Sequence, residues 1–166
     1  MSKAQEIIRQ REQNMKNETT ETYRFANRES WFDALQEAPS EKWIKTRDLS
    51  GSKKSRYIPL GIQEALADLF FRECDIIDNE IGYVNNQIVC RLKMSILPNY
   101  PNAEHRIIAG VGARVMTKAG NSLEYGAASA QSAAKSNAFM NFANVFGRNL
   151  NRGFNDGFSY AKSKKQ

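Results

Sequence analysis

Between residues 87 and 97 the sequence alternates without a break. Ile88, Cys90, Leu92, Met94 and Ile96 are apolar, and Val89, Arg91, Lys93 and Ser95 fall between them. Successive strand side chains point to opposite faces, so a period of two over this length predicts a β-strand with one dry face and one wet, cation-bearing face. Such a strand suits an antiparallel sheet packed on one side only. Asn85-Asn86 is a two-residue hairpin signal just before it, and PNYPN at 98–102 is a run of turn formers just after it. Three antiparallel strands are therefore expected, over 75–84, 87–97 and 105–116.

Helical spacing takes over on either side of these strands. Pro59 suits a first helical turn, and Ile62, Ala65, Leu66, Leu69 and Phe70 follow at i, i+3, i+4, i+7 and i+8, which predicts a helix over 59–71. Upstream, Trp31, Phe32 and Leu35 share a helical register over 28–37, and Pro39 stops it. A polar helix with a thin stripe of Ala4, Ile7, Ile8, Arg11 and Met15 is expected at the start of the chain. After the strands, residues 123–148 carry Ala127, Ala130, Ala134, Ala138, Phe142 and Val145 at steps of three and four. Small residues let such a helix lie close to a sheet, with Phe139, Phe142 and Phe146 filling the wider end. The order is that of an α+β fold: an antiparallel three-stranded sheet on a long C-terminal helix, preceded by helical segments.

With 166 residues, 41% of them apolar, the chain can build one domain with a core. No run approaches the ~20 apolar residues of a membrane-spanning helix, and the first residues lack a signal-peptide core, so a soluble intracellular protein is expected. Cys74 and Cys90 lie in apolar surroundings without ligand spacing, as buried reduced thiols do.

The formal charge of +6 is segregated: −2 over 1–41, +5 over 42–56, −5 over 57–90, +4 over 91–147 and +4 over 148–166. Catalytic chemistry is thin by comparison. His105 is the single histidine, so a metal site or a Ser-His-Asp triad would rest on it alone. The run 50–55 has the Lys and Ser of a phosphate loop, but Thr46 and Ser52 occupy its glycine positions. Glu64, Asp68, Glu73, Asp75, Asp78 and Glu80 could hold a nuclease metal. Yet Arg91 stands two residues before Lys93, where a common nuclease pattern has a carboxylate. No enzyme, metal or cofactor is expected.

Nucleic-acid binding is better supplied. Single strands are held by a cationic groove along the phosphates, with aromatic side chains beside the bases. Residues 42–57 interleave Lys42, Lys45, Arg47, Lys53, Lys54 and Arg56 with Trp43 and Tyr57, in a stretch that reads as a loop or hairpin around Gly51. Each aromatic could serve either DNA or the core. Arg91, Lys93, Arg114 and Lys118 fall on or after the predicted strands and could join the same groove.

Several strings together resemble the superfamily of Rad-fifty-two-type annealing proteins. Ser55-Arg56-Tyr57-Ile58-Pro59 leading into a helix that ends in Phe71 is one. The strands around 89–96 and 107–115 are another, and Ala133-Ala134-Lys135-Ser136-Asn137-Ala138 leading to Val145-Phe146-Gly147 is the third. The likeness spans roughly residues 42–152. Phage recombinases of the Red-beta and Erf types and the mitochondrial genome maintenance protein share that core. The resemblance implies a β-β-β-α core, rings or helical filaments, and ATP-independent annealing of DNA held in a surface groove.

A phage or bacterial member, acting in recombination or repair in the cytoplasm of a bacterial host, is the implied identity. Its implied partners are single-stranded DNA, the annealed duplex intermediate, further copies of the chain, and an exonuclease or single-strand binding protein. A basic pair on the long helix of eukaryotic members falls here on Met140 and Asn141, and another basic position falls on Ile62, so those contacts do not carry over. The charge that does carry over is Arg91 or Lys93, Lys118 and Lys135, the last with a neighbouring subunit's acid as its other possible partner.

The expected organisation is an N-terminal helical segment over 1–41 that contacts other subunits, an annealing core over 42–152 and a mobile basic tail over 153–166. A non-annealing single-strand or RNA-binding protein and a metal-dependent nuclease are the competing readings.

Overall fold

A computed structural model describes residues 22–49, 54–116 and 122–151. The elements run α1 (Arg28–Gln36), a 3-10 turn (Glu41–Trp43), β1 (Lys45–Asp48), β2 (Lys54–Tyr57), α2 (Leu60–Phe70), β3 (Phe71–Val84), β4 (Gln87–Pro98), β5 (Arg106–Val115), α3 (Leu123–Phe142) and a second 3-10 turn (Asn144–Phe146). This is an α+β fold. The antiparallel sheet β3-β4-β5 packs on α3, and β1-β2 forms a separate two-stranded hairpin. The N-terminal helix expected around Ile7 and Met15 lies outside the described residues, as do Lys53, Lys118 and the basic tail.

The alternation in β4 works as its spacing predicts. Ile88, Cys90, Leu92, Met94 and Ile96 are all buried on the inner face, while Arg91 and Lys93 are exposed on the outer one. Asn85 and Asn86 both take left-handed backbone, φ 47° and 61°, as the tightest antiparallel turn requires. Asn86 secures the turn further, because its amide nitrogen donates to the Met116 carbonyl at 2.7 Å.

Helix α3 lies directly on the sheet because both partners lack bulk. Ala130, Ala134 and Ala138 are buried, and the facing β5 positions are Gly110 and Gly112. A Cβ on Gly110 would collide with the Ala134 carbonyl, and one on Gly112 with the Ala130 carbonyl. The helix ends at Phe142, short of the expected residue 148. Ala143 is buried with extended backbone, and this break turns Val145 and Phe146 into the core. Phe146 then stacks on Phe139 at 5.2 Å and on Phe71 at 6.0 Å, contacts that a continued helix would forfeit.

Helix α2 also departs from its sequence pattern. Its buried face is Gln63, Leu66, Ala67 and Phe70, whereas Ala65 and Leu69 are exposed. The rotation is made possible by Gln63, whose Nε2 donates to the Phe146 carbonyl at 3.3 Å, so a polar residue occupies a core position. In α1, Trp31 and Leu35 are buried and Phe32 is exposed. The Trp31 indole N–H donates to the Phe70 carbonyl at 2.9 Å, and burial of a side chain this large stabilises by about 1.5–3 kcal/mol. Asn27 and Ser30 cap the helix reciprocally.

Cys74 and Cys90 are free thiols. Burial pushes the Cys74 thiol up to about 11, against a smaller opposing pull from the Lys135 charge, and burial likewise raises Cys90.

Candidate nucleic-acid interface

The basic segment 42–56 folds into the β1-β2 hairpin and the turn before it. Lys45 pairs with Tyr57, Thr46 with Arg56, Arg47 with Ser55 and Asp48 with Lys54. Paired residues share a face, so the register sorts the cations. Lys45 and Arg47 lie with Tyr57 on one face, and the Arg47 guanidinium sits 5.4 Å from the Tyr57 ring centre. Lys54 and Arg56 lie on the other face with Thr46 and Asp48. Lys42 reaches over Trp43, which is itself half-buried against the core. Of the two candidate aromatics, Trp43 therefore belongs with the core, and Tyr57 stays with the cations.

Arg56 anchors the hairpin more than it decorates it. Its guanidinium pairs with Glu41 at 2.5 Å, its backbone N–H donates to Asn151 Oδ1 at 3.1 Å, and Asn151 Nδ2 donates back to its carbonyl at 2.9 Å. Those bonds bring the hairpin against the chain that follows α3. There the structure adds residues that charge-based reading had no means to find. Asn141, Asn144, Arg148, Asn149 and Asn151 border an open bowl of about 720 Å³, with Gln36, Met140 and Gly147 completing it. Asn144, Asn149 and Asn151 direct their amide nitrogens to Gln36, Asn144 and Arg56 within the chain, so what the bowl offers a strand is chiefly Arg148 and Asn141. The signal was present as the Asn-rich run 141–151, but composition alone assigns such a run to loops.

On the outer face of the sheet, Arg91 and Lys93 border a second depression of about 710 Å³, together with Asp78, Glu80, Val111 and Asn137. Each cation meets a carboxylate across the strand pair: Lys93 to Asp78 at 3.3 Å and Arg91 to Glu80 at 3.9 Å. A bulge in β3 between Ile76 and Asp78 makes this possible. The extra residue there resets the alternation, so that Asp78 and Glu80 both face outward, opposite Lys93 and Arg91. All four side chains are more than half exposed, which keeps such pairs weak, about 0–1 kcal/mol each.

The bowl and the sheet depression adjoin. Asn141 lines both. A polar path therefore runs from the hairpin, through the amide bowl, past Asn141 to Lys93 and Arg91.

Two other candidate cations stand apart from this path. Lys135 is half-buried and pairs with Glu64 of α2 in the same chain at 2.5 Å, so its charge ties two helices together. Arg114 lies over the Tyr125 ring at 5.8 Å, where β5 faces the start of α3.

The acidic residues weighed as metal ligands are dispersed among basic partners. Glu64 faces Lys135, Asp78 faces Lys93, Glu80 faces Arg91 and Glu73 lies 3.6 Å from His105. Among the described residues no group of three or more His, Cys, Asp or Glu side chains could hold a metal ion. His105 Nδ1 also lies 3.0 Å from Ser95 Oγ, which completes a Ser-His-Glu row. The His105 and Glu73 side chains are more than half exposed. Among the described residues no helix is long and apolar enough to cross a membrane.

Compared with models of known protein families and with curated proteins, the sequence finds no match.

Proposed function

We propose that this chain binds single-stranded DNA and anneals complementary strands without nucleotide hydrolysis, acting as a homo-oligomer in recombination or repair. The observation that carries the proposal is the continuous polar path joined at Asn141. Lys45 and Arg47 on one face of the hairpin and Lys93 and Arg91 at the other end suit successive phosphates. Arg148 and Asn141 between them suit phosphates, sugars and base edges, and Tyr57 offers a ring beside the cations. A strand held by its backbone leaves its bases open to test a second strand. Base pairing then supplies recognition, and the protein lowers the cost of alignment. No bond is made or broken, so no catalytic residue is assigned.

The resemblance to Rad-fifty-two-type annealing proteins supports the same reading, since it spans the hairpin, α2, the three strands and α3. Where eukaryotic members carry a basic pair, this chain has Met140 and Asn141 in the bowl, so amide contacts take the place of charge there. The cytoplasm of a bacterial host, with an exonuclease or single-strand binding protein as partner, is the setting this reading implies.

The test mixes dye-labelled complementary strands with the protein and no nucleotide. Annealing faster than the protein-free rate is expected, with log affinity falling by roughly 0.7 per neutralised phosphate against log salt. Binding without acceleration would leave a single-strand binder. Preference for RNA in competition would redirect the substrate, and strand cleavage with magnesium or manganese would make the protein a nuclease.

A further inference from the structure

The outer face of the sheet carries three parallel rows of different chemistry. On β3 the row is acidic, because Asp75, Asp78 and Glu80 pair with the outward Ser95, Lys93 and Arg91. On β4 it is cationic at its centre, with Lys93 and Arg91. On β5 it is apolar: Ile107, Ala109 and Val111 pair with the same Ser95, Lys93 and Arg91. Arg106 and Arg114 pair with Ile96 and Ile88 and so belong to the inner face, which leaves the outer row of β5 without charge. Ile107, Val111 and Val115 are 65%, 53% and 54% exposed there. The depression of about 710 Å³ crosses all three rows, from Asp78 and Glu80, over Lys93 and Arg91, to Ala109 and Val111.

The order of the rows limits how a single strand can lie in that depression. Phosphates are drawn to β4 and repelled by the carboxylates of β3, so a backbone that settles over Lys93 and Arg91 must extend its bases toward β5. The two cations are separated by two strand residues, about 6.8 Å, which an extended strand can follow with successive phosphates. Beside Lys93 stands the small Ala109, between the ridges of Ile107 and Val111, which are about 13 Å apart. The Asn137 amide nitrogen donates to the Val111 carbonyl at 2.6 Å and holds the second ridge in place.

We infer that the bases of a bound single strand pack on the β5 row, with the base of the nucleotide held at Lys93 lodged over Ala109 between Ile107 and Val111. Aliphatic side chains wedge against the flat faces of bases, and every base has such a face, so the contact is indifferent to sequence. Strand order places β5 on an edge of the sheet. A base laid across it from β4 therefore directs its pairing edge beyond the sheet, where a second strand can reach it. The opposite orientation would set bases on the β3 carboxylates. This inference rests on the single-strand reading above and gives the bound strand its orientation.

The experiment compares two dye-labelled oligonucleotides of equal phosphate number, one of thymidines and one fully abasic, by fluorescence anisotropy over a series of salt concentrations. The full chain should hold the thymidine strand about fivefold more tightly or better, the low end of what stacking on a side chain contributes per base. Ile107→Ser with Val111→Ser should erase most of that preference and keep the salt slope, because the phosphates stay on β4. Both side chains are exposed, so a thermal melt matching that of the unchanged protein is expected and establishes the fold. Ala109→Leu fills the space between the ridges and should reduce the preference as well; an unaltered preference would count against the lodged base. A double serine variant that keeps the preference, or that loses affinity for both strands equally, would overturn the base row. If the unchanged protein binds both strands equally with the expected salt slope, the base row is wrong and the single-strand reading stands. If it binds neither, the single-strand reading itself fails.

Discussion

The hairpin and the outer face of the sheet are built from the same parts, antiparallel strands bearing alternate cations, yet they present charge differently. On the hairpin, Lys45 and Arg47 share a face with Tyr57 and Ser55. On the sheet, a bulge in β3 turns Asp78 and Glu80 toward Lys93 and Arg91, and the local charge is compensated. A cation's value to a phosphate depends on what stands across from it, and strand register sets that. The difference suggests a division of work. Under the proposed function, the Lys45 and Arg47 face offers charge with no carboxylate across from it for capture, whereas Lys54 stands opposite Asp48 and Arg56 pairs with Glu41. The sheet offers weakly paired cations that can exchange a carboxylate for a phosphate at a cost of about 1 kcal/mol or less.

The largest effect expected is on the platform that carries the sheet cations. Gly112→Ala places a methyl group against α3 backbone that cannot move aside, and should destabilise by about 3 kcal/mol or more in denaturant unfolding. If it is tolerated, α3 does not hold the sheet as closely as described. Next, neutralising Lys45 and Arg47 together should weaken single-strand binding by roughly tenfold at low salt and flatten the log–log salt slope by about 1.4. Lys135→Ala should leave that slope alone and instead cost about 1 kcal/mol of stability, because Glu64 takes its charge. The reverse order would break the contrast drawn between the two regions.

A sharper test removes the compensation. Asp78→Asn with Glu80→Gln should raise affinity by about two- to fivefold, from the release of pairs worth about 0–1 kcal/mol. A fall in affinity would mean that the carboxylates position the cations rather than compete for them.

The smallest effect separates the core from both regions. Cys74 titrates near 9 when unfolded and is pushed up to about 11 by burial. Between those values the unfolded chain holds fewer protons than the folded one. Stability should therefore be fully present below about pH 9 and fall as pH rises toward 11. Cys74→Ala should reduce that slope in a stability-against-pH series, while DNA affinity at pH 7 stays unchanged.

The sequence alone was enough to determine the α+β class, the three strands, the Asn85-Asn86 turn and the inner face of β4. These follow from local periodicity and turn chemistry, which neighbouring residues carry by themselves. It also located the excess charge of 42–56 and the small residues of α3. The bulge in β3, the rotated face of α2 and the break at Ala143 were decided by contacts far along the chain: Asp78 with Lys93, Gln63 with Phe146, and Phe146 with Phe71 and Phe139. The candidate site divided in the same way. Its cations could be counted from the sequence, but which of them stand opposite acids, and that Asn141 joins two depressions, depends on register and on where α3 ends. Those are properties of packed surfaces, and no local pattern encodes them.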